Sequence, residues 1–142
     1  MARRPAADLL LAGEALALLA VFRIALAMVP VRRIIGSVTR GRAGDVTGNA
    51  AMQTSQTRLT ALRVQWAVSA AARHSLVEFV CFPQALAGYT MLRRRGMPST
   101  LVYGVTKSAE GDLIAHTWLT VGDDIVLGGD AANGFTPIER WT

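Results

Sequence analysis

Cys81 is the only cysteine in the chain, and it opens the run Cys81-Phe82-Pro83. Leu86, Tyr89 and Leu92 follow at helical spacing. Pro83 fits the first turn of a helix, where the N–H that proline lacks would have no partner. A thiol at that point meets unpaired backbone N–H groups and the positive end of the helix dipole, both of which favour a thiolate nucleophile. The same N–H groups can receive the oxyanion formed when a carbonyl is attacked. An inert buried side chain is the plainer fate of a lone cysteine. A base is also at hand. Of the two histidines, His74 sits in the irregular stretch His74–Val80, whereas His116 lies within an alternating run that puts Trp118 on the same face. A strand facing a helix start would hold such a base in place, and a satisfied histidine on a half-buried strand is the bland alternative.

A third group would have to orient the histidine, and hairpin register discriminates among the acids. With Gly122-Asp123 as the turn, His116 pairs across from Gly129; with Asp123-Asp124 as the turn, it pairs across from Ala131. Either way Asp130 lies beside the cross-strand partner, at about 4.5–5.5 Å per rung. Asp123 and Asp124 fall roughly 20 Å away along the strand, and Asp112 roughly 13 Å. The candidate catalytic set is Cys81, His116 and Asp130, with Gly128-Gly129 able to bend the backbone before the acid.

The elements that must position these residues divide the chain into a helical first part and a strand-rich end. Helices are expected over Ala7–Met28, ending near Pro30, over Val31–Thr39 and over Thr54–Arg73. The third carries Leu59, Leu62, Trp66, Ser69 and Ala70 on one stripe. A loop is punctuated by Gly41, Gly44 and Gly48. The helix from Cys81 stops at Gly96, before Pro98. Strands are expected over Thr100–Lys107, Asp112–Val121 and Ile125–Leu127, with turns at Ser108–Gly111 and Gly122–Asp124. The size fits a single domain over 1–142, a helical segment over 1–48 leading into a core over 49–142.

Composition narrows the partners. Half the residues are hydrophobic and 18% are charged, as in a globular chain. One cysteine makes no internal disulfide, which fits a reducing cytoplasm. The net charge of +5 comes largely from arginines, clustered at Arg32-Arg33 and Arg93-Arg94-Arg95. They gather where helices end, where cations suit the dipole, and no aromatics interleave with them; nucleic acid is not an expected partner. Residues 8–30 are very apolar, but Glu14 and Arg23 interrupt them, so no stable membrane insertion is expected.

Chain order Cys, His, Asp, with the cysteine opening a helix and the others on successive strands, resembles the papain/transglutaminase-like superfamily. More narrowly, CFPQALAGYTMLRRRGMPSTLVYGVTKSAEGDLIAHTWLTVGDDIVLGG followed by FTPIERW is similar to the leader peptidase of bacterial lasso-peptide biosynthesis, as is the Leu/Ala-rich first helix ending in VPVRR. The resemblance implies an α+β fold, N-terminal helices followed by a catalytic helix packed on a small antiparallel sheet. It implies that Cys81 attacks the scissile carbonyl of a ribosomally made precursor, His116 moves the proton and the acid holds the histidine, with no cofactor or metal. A separate ATP-dependent cyclase would then close the freed core peptide. The chain lacks the roughly eighty residues of a fused recognition domain, so the resemblance points to the split form, served by a separate leader-recognition protein. In many relatives the acid belongs to an Asn-Asp pair twelve residues after the histidine, where this chain has Gly128. Two other functions share these features: a non-catalytic module that binds a peptide or a membrane, and a transglutaminase-like acyl transferase.

Overall fold

The computed structural model describes residues 5–39, 55–74, 81–122, 124–129 and 134–142. Helix α1 (Ala6–Met28) starts at Pro5, whose carbonyl accepts from Asp8 N–H. It ends where Val29 turns extended, the conformation a following proline imposes. Pro30 then leads directly into α2 (Val31–Thr39), its carbonyl accepting from Arg33 N–H. Helix α3 spans Ser55–His74 and α4 spans Cys81–Arg94. The end of α4 is a Schellman motif. Gly96 takes φ +68°, its N–H reaches the Arg93 carbonyl, and Met97 N–H reaches the Leu92 carbonyl, both at 3.0 Å.

Four strands follow: β1 (Thr100–Lys107), β2 (Leu113–Val121), β3 (Asp124–Leu127) and β4 (Thr136–Trp141), in the antiparallel sheet order β3-β2-β1-β4. The α+β architecture, helices first and then a small antiparallel sheet, agrees with the sequence reading. The fourth strand is an addition to it. Pro137 removes a ladder donor and Glu139-Arg140 break the apolar alternation, features that suit an edge strand and hide it from a pattern search.

The helices cover one face of the sheet. Leu11, Ala15, Leu19 and Phe22 of α1, Leu86, Met91 and Leu92 of α4, and Leu101, Leu119 and Leu127 of the sheet form one buried cluster. The buried stripe of α3 is Ala61, Val64, Ala67, Val68 and Ala71. The sequence stripe is thus displaced: Leu59 and Leu62 are exposed, because small side chains let α3 approach α1 and α4 closely while the leucines stay at the margin. Gly88 serves the same purpose in α4. A Cβ there would stand 2.5 Å from Leu127 Cδ1 and 2.9 Å from Leu119 Cδ2. Gly88→Val should therefore cost about 1–3 kcal/mol in urea unfolding through overpacking.

The arginines at the end of α4 do more than complement its dipole. Arg95 and Arg94 both pair with Glu14 of α1, at 2.6 and 3.4 Å. Arg93 donates to the Val38 carbonyl of α2 and to Tyr89 Oη. Arg63 of α3 pairs with Asp8 at 2.8 Å. The hydrogen bond from Arg95 holds the Glu14 carboxyl below the ordinary carboxylate value, against a smaller opposing effect of burial. A lowered folded-state value stabilises above the ordinary range and is lost as pH falls through the lowered one. Thermal melts from pH 5 to pH 3 should accordingly fall more steeply for the wild type than for Glu14→Gln.

Candidate active site

Cys81 is the first residue of α4 and is half-buried. Within the opening turn, Cys81, Phe82 and Gln84 carry backbone N–H groups and Pro83 carries none. No acid stands in that turn to oppose a thiolate or an oxyanion. Cys81 thus stands at the first turn of a helix, where the sequence places it.

His116 sits on β2 opposite Gly104 of β1. Its ring stacks on Trp118, with centroids 5.9 Å apart and planes 24° from parallel, and meets Phe135 at 5.2 Å. His116 Nε2 lies 2.9 Å from the Gly128 carbonyl oxygen. A carbonyl only accepts, so Nε2 carries the hydrogen. In the neutral ring this leaves the Nδ1 lone pair as the free base. The imidazole is thus fixed by a ring stack and a backbone acceptor.

Gly128 can play this part because it is glycine. Its φ is +79°, and a Cβ would stand 2.9 Å from the Thr117 carbonyl, 3.1 Å from Trp118 Cβ and 3.2 Å from His116 Nε2. Gly104 makes a matching allowance, since a Cβ there would strike the Trp118 ring at 2.7 Å. Both glycines leave room for the indole and imidazole pair.

Register explains how Gly128 comes to face the histidine. Val121 pairs with Asp124, so only two residues separate the paired strands. Thr120 then pairs with Ile125 but Leu119 with Leu127, leaving Val126 as an extra residue in a bulge. The shift carries the chain beyond Leu127 one position off the simple hairpin count. Asp124 lies at the far end of β2 from His116, as expected. Asp112 caps the β1–β2 turn through its backbone, with Ser108 as partner. Asp130, the acid favoured by register, lies outside the described residues, as does Asp123.

Helix α4 packs along β2. Gly88 meets Leu119. By strand alternation His116, three residues before Leu119, lies on the face of β2 away from α4, so the structure does not bring Cys81 and His116 onto one face. They are not hydrogen-bonded to each other.

Beside Cys81 lies a site feature that the sequence did not signal. Phe82, Tyr103, Trp141, Ile35, Arg32 and Glu139 line an open cavity of about 640 Å³. Phe82 adjoins Cys81 in the chain, and Tyr103 pairs with Thr117, on the opposite face of the sheet from His116. Aromatic and aliphatic walls with one cation and one anion suit a peptide side chain. Its members come from α2, α4, β1 and β4 and share no spacing in the chain.

The family profile described as transglutaminase-like superfamily matches residues 9–140. No curated protein matches the chain significantly, and no solved structure does.

Proposed function

Since the chain belongs to the transglutaminase-like superfamily, whose thiol chemistry serves cysteine peptidases and acyl transferases, we propose that it is a cysteine peptidase releasing the leader from a lasso-peptide precursor. The observation that carries this reading is His116, clamped through Nε2 to Gly128, which leaves Nδ1 to act as the base, on the strand along which the cysteine-bearing helix packs.

In this mechanism Nδ1 of His116 takes the Cys81 proton as sulfur adds to the scissile carbonyl. The amides at the start of α4 stabilise the oxyanion. Collapse of the tetrahedral adduct breaks the C–N bond, and His116 returns the proton to the leaving amine. Water, deprotonated by the same nitrogen, then cleaves the thioester and restores the thiol. The Gly128 carbonyl takes the orienting role that an acid would fill, and Asp130, two residues further, remains the candidate to support the imidazolium. The cavity beside Phe82 receives a side chain of the precursor near the cut. A separate leader-recognition protein delivers the precursor, and a separate ATP-dependent cyclase takes up the freed core, both in the cytoplasm.

The test is incubation of the chain with a candidate precursor and its recognition protein, read by mass spectrometry. Two fragments differing from the precursor by one water support hydrolysis. A fragment joined to an added amine instead assigns acyl transfer. Asp130→Ala should slow cleavage clearly and Asp124→Ala hardly at all; equal loss from both would remove Asp130 from the site.

A further inference from the structure

The outward face of α1 is unlike any other exposed surface among the described residues. Leu9, Leu10, Leu16, Val21, Ile24 and Met28 are all exposed, Leu10 at 75% and Met28 at 79%. On a helix of 100° per residue they fall on one side, opposite the buried Leu11, Ala15, Leu19 and Phe22. Gly13, Ala17, Ala20 and Ala27 fill the spaces between them, with Arg23 at one margin and Glu14, paired with Arg94 and Arg95, at the other. The result is an aliphatic strip roughly 30 Å long. An exposed apolar surface of this extent marks an interaction site.

The charges show what kind of surface fits it. Asp8 and Glu14 are the only acids in residues 1–39, and both are neutralised by ion pairs with Arg63, Arg94 and Arg95. Arg23 lies at the edge of the strip, and Arg32 and Arg33 are exposed just past its end. The face is therefore apolar at its centre and positive at its border. Neither a tyrosine nor a tryptophan stands on it, nor any neutral hydrogen-bonding side chain. The aromatic anchors and polar rim typical of protein interfaces are thus absent from the strip. A second copy would bring its own net charge of +5 against this one.

We infer that α1 seats the protein on an anionic membrane surface, lying in the plane with its outward side chains in the acyl boundary and its arginines among the headgroups. Helix α1 has the length and apolarity to cross a bilayer. Its inner stripe and three ion pairs tie it to α3 and α4, however, so it lies on the membrane with the domain attached. The inference is independent of the peptidase reading, and Cys81→Ala should bind like the wild type.

The experiment is flotation of the full chain with vesicles of phosphatidylcholine alone or mixed with phosphatidylglycerol. Binding should be at least about tenfold stronger to the mixed vesicles and should weaken with salt. The double substitution Val21→Glu with Ile24→Glu should reduce it about tenfold or more. These positions are 57% and 61% exposed, so circular dichroism and melting should hold. Arg33→Glu should reduce it about fivefold without touching the strip. Equal binding to both vesicle types, or binding unchanged in a folded double variant, overturns the inference. So does failure to bind vesicles by a protein whose sedimentation shows a dimer that the double substitution dissolves.

Discussion

Cys81→Ala should abolish precursor cleavage, lowering kcat/KM by at least about a thousandfold, while the variant melts as the wild type does. Alanine keeps the helix start, and a half-buried sulfur adds little to packing, so stability and activity separate cleanly. Cleavage should be followed by mass spectrometry and folding by circular dichroism on the same preparation. Iodoacetamide supplies a second readout: one equivalent on the single thiol should block cleavage in proportion to labelling. Undiminished cleavage by Cys81→Ala would remove the thiol from the chemistry. Loss of cleavage in His116→Ala, with Cys81 still alkylated, would then separate the base from the nucleophile. The expected losses are not additive, because proton and sulfur move in one step.

The second large effect concerns a residue with no side chain. Gly128→Ala should lower kcat/KM about a hundredfold, the loss expected when a catalytic group is displaced by about 1 Å. Two conflicts drive it. The added methyl meets the Thr117 carbonyl at 2.9 Å and His116 Nε2 at 3.2 Å, and φ of +79° strains any residue with a Cβ. Strand β3 must give way, and the acceptor leaves the imidazole. A merely structural role for Gly128 would lower stability and leave the ring alone. The distinguishing measurement is nitrogen NMR of the imidazole in the neutral state. The wild type should hold the proton on Nε2, and Gly128→Ala should show a tautomer mixture. Gly128→Asn is the informative companion, since asparagine tolerates the left-handed region better than alanine and should recover part of the activity.

Much of this arrangement could be read from the chain. Proline and glycine mark both ends of the elements that matter: Val29 before Pro30 stops α1, and Gly96 stops α4. Alternation through Ile114, His116 and Trp118 placed the histidine and the tryptophan on one face, and the rings stack. What escaped were features set by tertiary contact. The bulge at Val126 leaves no residue signature, yet it decides which atom faces His116. The ion pairs of Glu14 join positions about eighty apart in sequence, beyond any local rule. In α3, large side chains drew attention to the wrong stripe, because the helix interface there is built from alanine and valine. Strand β4 was missed because an edge strand can carry Pro137 and charges that a central strand cannot.

Leu127 has a consequence of its own. It fills the notch at Gly88 in the helix that begins with Cys81, and it is bonded directly to Gly128, which holds His116. One leucine thus links the helix that begins with Cys81 to the backbone that holds His116. A push at Gly88 must be felt at the imidazole, although Gly88 touches neither reactive residue. In a double-mutant cycle, Gly88→Val and Gly128→Ala should therefore show a coupling energy in kcat/KM, and slow amide exchange at the end of β3 should be lost in both variants together.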